Sequence, residues 1–166
     1  MKKQLYFVPV SIILYIAIVF FTTGCSATRS LADVSPEAIG KAIESDNWIF
    51  SANQAYPQRG RSVNLTGIYE VLSRKDTVTS HLPYYGRAYT AQIGQTTSPL
   101  DFMTTDFDLG KTRNDKGKWT INIKPKDNRE IQSFDFVLYE NGSARLNVLM
   151  TNRSPINFSG SVRPGK

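Results

Sequence analysis

The chain has almost none of the residues on which reactive chemistry depends. Among 166 residues there is one cysteine, Cys25, and one histidine, His81. A single thiol excludes an intrachain disulfide framework, and a single imidazole excludes a His-rich zinc site. Neither a G-x-S-x-G elbow nor an H-E-x-x-H helix motif occurs, so the usual signatures of a serine hydrolase and a zinc protease are missing. Charge of one sign never accumulates. The 20 basic and 14 acidic side chains give a formal +6, and the basic ones are scattered without a run of five or six. That distribution argues against nucleic acid as a partner. No internal repeat or low-complexity segment is visible.

What is present begins at the N-terminus. Lys2 and Lys3 precede an uncharged run from Leu5 to Phe21, which Thr22-Thr23-Gly24-Cys25 closes. This is the order of a secretory leader: charged n-region, apolar h-region, small-residue cleavage site. The lone thiol at its end reads as the acyl acceptor of a lipoprotein, with Cys25 carrying fatty acyl groups such as palmitate. Acyl burial contributes about 0.8 kcal/mol per methylene, and one chain holds marginally where two or three hold firmly. The apolar run is also long enough to span a bilayer as an uncleaved anchor; Pro9 and the Thr-Thr-Gly-Cys ending favour cleavage. Residues 1–24 are therefore expected to be a signal peptide, 25–35 a tether and 36–166 a single antiparallel β domain. Ser26 carries no acidic inner-membrane retention signal, which points the exported protein to the outer membrane, facing the periplasm or the surface. Taking Lys2 and Lys3 from the 20 basic residues leaves 18 against 14 acidic ones, a formal +4.

Ser35 as N-cap, Pro36 at the first helical position and Glu37 in the first turn predict a short helix, with Ile39 and Ile43 on one stripe. Beyond Ser45 the period-two alternation of strands takes over. Strands are expected near 47–55, 62–66, 68–74, 77–82, 86–91, 102–111, 117–125, 131–139, 144–151 and 156–162. Their short spacing indicates a mainly β fold, an antiparallel barrel-like or sandwich domain with one N-terminal helix. Three hairpins can be given a register. Leu109 opposite Ile121 and Phe107 opposite Ile123 bury two apolar faces, with Asp106 facing Lys124 and Asp108 facing Asn122. A three-residue loop at Glu140-Asn141-Gly142 sets Phe134 against Val148, Phe136 against Leu146 and Leu138 against Ala144. A turn at Arg74-Lys75-Asp76 brings Leu72 to Val78, Ile68 to Leu82 and His81 to Tyr69.

Candidate functional residues are few. The stretch Ser80 to Tyr89 holds Tyr84, Tyr85, Arg87 and Tyr89 around a turn at Pro83 and Gly86. Tyr and Arg are enriched at binding hot spots, so these four form the candidate binding set, although the rings can equally plug one end of a barrel. Arg59-Gly60-Arg61-Ser62 is a loop that could neighbour them and hold an anion. Asp106 and Asp108, two apart on a strand, share a face, yet an extended strand is a poor calcium cage and pairing with Lys124 and Asn122 is the simpler reading. His81 would need a nucleophile or acid within about 3 Å for catalysis, and a polar residue on a strand end is the simpler reading. Asp76-Thr77-Val78 fits the three-residue O-glycosylation pattern of some gut Gram-negative bacteria. No metal and no cofactor is expected, and no catalytic residue.

Several longer motifs occur in one order: Arg59-Gly60-Arg61-Ser62-Val63-Asn64-Leu65, Ser80-x-Leu82-Pro83-Tyr84-Tyr85-Gly86-Arg87-Ala88-Tyr89, Trp119-x-Ile121-x-Ile123-Lys124-Pro125-Lys126-Asp127, Tyr139-Glu140-Asn141-Gly142 and Ile156-x-Phe158-x-Gly160. The series, from about residue 37 to 162, resembles the DUF4251 family of uncharacterised Gram-negative envelope lipoproteins. The resemblance implies a secreted or lipid-anchored domain and carries no catalytic residues over. The expectation is a lipid-anchored, non-enzymatic binding domain for a protein, peptide or glycan partner, held to the membrane by its N-terminal lipid. A small-ligand carrier with an apolar barrel lumen is the alternative. A hydrolase is a further one, and it needs Asp106 or Asp108 to converge with His81 or Arg87.

Overall fold

The computed structural model describes residues 34–89 and 98–165; residues 1–24, Cys25 and the tether up to Asp33 lie outside them. Helix α1 (Pro36–Glu44) starts where the capping residues place it: the Ala38 N–H donates to Ser35 Oγ at 3.2 Å. Ile39, Ala42 and Ile43 are buried. Asp46, at φ 54, turns the chain into the first strand. Among the described residues no helix is long and apolar enough to cross a membrane.

Ten strands follow: β1 (Asn47–Pro57), β2 (Val63–Asn64), β3 (Glu70–Arg74), β4 (Thr77–His81), β5 (Asp101–Thr104), β6 (Phe107–Arg113), β7 (Lys118–Pro125), β8 (Ile131–Tyr139), β9 (Ser143–Met150) and β10 (Ile156–Pro164). They form one antiparallel sheet in the order β5-β4-β3-β1-β10-β9-β8-β7-β6, with β2 also paired to β1. The fold class is thus mainly β, with one helix among the described residues, and the sheet curls into a nearly closed barrel. Its edge strands, β5 and β6, are consecutive in the chain and separated only by Thr105 and Asp106. That corner is held by Thr104 Oγ1 donating to Asp127 Oδ1 at 2.7 Å and by the Lys126 N–H donating to the Asp106 carbonyl at 2.8 Å. At the far end of β6, Lys111 Nζ donates to the carbonyls of Ile43 (3.0 Å) and Glu44 (2.9 Å) and to Asp46 Oδ1 (2.7 Å). A cation there satisfies the orphan carbonyls at the end of α1 and complements its dipole.

The interior is aromatic. Phe136 takes Trp48 edge-on at 4.9 Å and Phe50 at 5.6 Å between ring centroids, and Phe102 lies 5.8 Å from Phe134. Trp48, Phe50, Phe134, Phe136 and Phe158 are fully buried, joined by Ile43 from the helix.

The β8–β9 hairpin has the expected register, and Gly142 sits at φ +84 in its three-residue loop. Four other expectations are corrected. The single strand 102–111 is two strands, broken at the corner that joins the sheet edges. In the β6–β7 hairpin Leu109 faces Ile123, Phe107 faces Pro125 and Asp108 faces Lys124, a slip of two residues that keeps every side chain on its face. The cause is Asn114: its Oδ1 accepts from the N–H groups of Lys116 (3.1 Å) and Lys118 (2.9 Å), fixing a turn that lets β6 run on to Arg113. In the β3–β4 hairpin Arg74 stays in the ladder opposite Thr77, leaving a two-residue turn with Lys75 at φ 31. Leu72 therefore faces Thr79, His81 faces Glu70 rather than Tyr69, and Ile68 is 86% exposed. Finally, the 86–91 segment makes only an isolated bridge, Ala88 to Arg153, over its described part.

One irregularity re-aims β1. Between Ala52 and Gln54 the pairing with β10 shifts by one residue at Asn53. Trp48, Phe50 and Ala52 point inward before this bulge, and Ala55 does after it, so Gln54 and Tyr56 are turned outward. Gly160 lies across from the bulge. A Cβ there would come within 2.9 Å of the Ser51 carbonyl carbon and 3.0 Å of Ala52 Cα, so only glycine fits the close approach.

Candidate functional site

The aromatic stretch leaves the sheet after β4 and is fastened at its base and along its length. Leu82 is buried, its N–H donates to the Leu100 carbonyl at 3.4 Å, and its carbonyl accepts from Ser98 Oγ at 2.6 Å. Further along, Ser154 in the β9–β10 connection binds the stretch on three sides. Its N–H donates to the Arg87 carbonyl at 3.1 Å, its Oγ accepts from the Arg87 N–H at 3.1 Å, and its carbonyl accepts from Tyr84 Oη at 2.9 Å. The Tyr89 N–H donates to the Asn152 carbonyl at 2.9 Å. Ser154 is buried.

This fastening divides the four candidate residues. Tyr84 is half-buried with its hydroxyl committed to Ser154, and the Arg153 guanidinium lies 5.5 Å over its ring. Its ring also occupies the space beside Gly86, where a Cβ would stand 2.6 Å from Tyr84 Cζ and 2.9 Å from Ser154 Oγ. Tyr84, Gly86 and Ser154 thus form a packing unit that sets the path of the backbone. Tyr85, Arg87 and Tyr89 instead line a groove of about 920 Å³ together with Pro57, Gln58, Arg59 and Gly60. Arg87 and Tyr89 are exposed, Tyr89 by 70%. The loop that sequence reading places near the aromatic stretch is brought beside it, with Gly60 at φ +108 turning the chain. Arg61 is not among the lining residues, and Ser62 Oγ accepts from Gln54 Nε2 at 3.2 Å.

Electrostatically the groove is one-sided. Two guanidiniums line it and, among the described residues, no carboxylate does. Arg presents a planar fork suited to bidentate carboxylate or phosphate binding. Flanking Tyr rings add contact area at low entropic cost.

The acidic candidates lie elsewhere. His81 Nδ1 and Asp101 Oδ1 are 2.6 Å apart on exposed strand ends. Asp108 pairs with Lys126 at 2.7 Å, and this carboxylate raises the Lys126 ammonium above its ordinary value, through the hydrogen bond first and the charge second. Asp106 contributes backbone groups to the barrel corner. His81 pairs with Asp101 and Asp108 with Lys126, so neither carboxylate of the hydrolase alternative is bonded to His81. Among the described residues no three of His, Cys, Asp and Glu converge as metal ligands. Thr77 is half-buried at the start of β4.

Sequence reasoning passes over Ser154 and the Pro57-Gln58 wall. Their signal is only Asn152-Arg153-Ser154-Pro155 as turn chemistry between two strands; nothing local says which distant loop that turn will hold.

A family model described as Domain of unknown function (DUF4251) matches residues 32–162. Among solved structures the chain is similar to a DUF4251 family protein from Bacteroides eggerthii DSM 20697, with a TM-score of 0.55 and 16% identity, covering 78% of this chain and 87% of that one. That likeness concerns the fold. No curated protein matches the chain.

Proposed function

The chain belongs to the DUF4251 family, and from that premise we propose that it is a lipid-anchored binding domain of the cell envelope, non-enzymatic, whose groove takes an acidic group of a protein, peptide or glycan partner. The observation that supports this reading is that Arg59 and Arg87 line one groove with Tyr85 and Tyr89 and no carboxylate among the described residues. The backbone bearing Tyr85, Arg87 and Tyr89 is already pinned by Ser154, so little ordering entropy opposes association. Cys25 carries the anchor in this reading. The carrier alternative draws no support from the described interior, where Trp48, Phe50, Phe134, Phe136 and Phe158 fill the centre of the barrel.

The test is crosslinking in living cells from a photoreactive residue at position 85, with position 116 on the β6–β7 turn as control. A discrete adduct from 85 that disappears in Arg59→Ala/Arg87→Ala supports the reading; equal labelling from both positions refutes it. Metabolic labelling with a palmitate analogue checks the anchor separately, since Cys25→Ser must abolish it.

A further inference from the structure

A second feature of the barrel lies on its outer face. Four planar polar side chains stand in register across four strands: Asn122 opposite Asp135, Asp135 opposite Asn147, and Asn147 opposite Asn157. Tyr56 on β1 continues the row opposite Asn157. With strands about 4.8 Å apart, the four planar groups extend over about 14 Å. Beside this row run Val137, Arg145, Ser159 and Gln54, again opposite one another. A shallow cavity of about 560 Å³ lies over Tyr56, Asp135, Arg145, Asn147, Asn157 and Ser159.

The row is built and largely unspent. Asp135 is oriented by Asn122 Nδ2 and by Ser133 Oγ, the latter at 3.0 Å, and its carboxylate retains further acceptor sites. Asn147, Asn157 and Arg145 make no side-chain hydrogen bond or ion pair among the described residues. Tyr56 donates its hydroxyl to Gln54 Oε1 at 2.6 Å and lies 3.3 Å from Ser159 Oγ, while the residue stays 41% exposed. Tyr56 and Gln54 reach this face only because the bulge at Asn53 reverses the alternation of β1. Bulges commonly re-aim a side chain in this way. Here the bulge requires the glycine at 160.

We infer that this outer face, the Asn122–Asp135–Asn147–Asn157 row with Tyr56 at its end, is a binding site for a neutral oligosaccharide. Planar amide and carboxylate groups offer paired donors and acceptors that match neighbouring sugar hydroxyls. An exposed tyrosine ring offers a flat surface for the apolar face of a pyranose. The one carboxylate and the one guanidinium cancel, which disfavours a charged ligand, and the apolar side chains on this face, Val137 and Leu149, stand apart on opposite sides of the row rather than together as a peptide anchor. The site is separate from the Arg59/Arg87 groove and does not depend on it.

The experiment titrates the full chain, in a detergent without a sugar head group, with maltohexaose, chitohexaose and xylohexaose in turn, following the side-chain amide resonances of Asn147 and Asn157. At least one of the three sugars is expected to shift both amides saturably. Tyr56→Ala and Asn157→Ala should each weaken that binding by about tenfold or more, the equivalent of one lost contact of about 1.4 kcal/mol. Arg59→Ala should leave it unchanged, and parent-like backbone amide spectra of Tyr56→Ala and Asn157→Ala away from the row control for folding. Absence of a saturable shift with all three sugars, or equal binding by Tyr56→Ala and the parent chain, overturns the inference.

Discussion

The Tyr84 hydroxyl donates to the carbonyl of Ser154 at 2.9 Å, across 70 residues of chain. That bond ties the most aromatic segment of the molecule to the connection between β9 and β10. Tyr84→Phe should lower stability by about 1 kcal/mol, the worth of one such bond. Tyr89→Ala should stay within about 0.5 kcal/mol, as surface changes do, while Tyr85→Ala, half-buried against the core, should lose more. Thermal unfolding of the three variants checks the contrast. A loss at Tyr89 as large as that at Tyr84 would mean that Tyr89 also serves packing.

Gly160→Ala places a methyl group against the Ser51 carbonyl carbon and Ala52 Cα. The backbone must separate there, so a loss of about 2 kcal/mol or more is expected. Denaturant unfolding measures it, and the amide of Asn53 should shift as the bulge relaxes.

Lys111→Met removes the cation that binds the Ile43 and Glu44 carbonyls and Asp46. Charged hydrogen bonds of this kind contribute about 1.5–3 kcal/mol, and this site is mostly shielded, so about 2 kcal/mol should be lost. Arg113→Ala, whose ion pairs with Glu44 and Glu140 are half exposed, should cost under about 1 kcal/mol.

Lys126 titrates above its ordinary value because Asp108 bonds it. Its contribution to stability is therefore complete below the unfolded lysine value and fades as pH rises through the raised one. In Asp108→Asn the Lys126 titration, followed by side-chain NMR, should move back down. An unchanged midpoint would show that the pair seen at 2.7 Å is not populated in solution.

Local chemistry made much of this fold legible in advance. Ser35-Pro36-Glu37 announces α1, and Asn141-Gly142 with alternating Phe and Leu fixes the β8–β9 register. The β6–β7 and β3–β4 registers were less accessible because each turn is decided by one group. The Asn114 side chain holds the first, and the second is set by Arg74 staying paired with Asn47 on β1. The break at Thr105-Asp106 has no Gly or Pro to mark it; it exists because the sheet must close, which is a global requirement. The groove was half legible. Its residue types stand out in the sequence, but the division of Tyr84 from Tyr85 depends on Ser154, and the outward turn of Tyr56 depends on a glycine more than 100 residues away.

The length of β1 has a directional consequence. Its first residues pair with the end of β10, Trp48 opposite Pro164, and its last, Pro57, pairs with Ile156 beside Ser154. The ten steps between its eleven residues, at about 3.3 Å each, separate these poles by roughly 33 Å. The chain enters through α1 at one pole and the arginine groove opens at the other. A ligand seated in the groove would therefore leave the α1 pole, with its Lys111 contacts, uncovered.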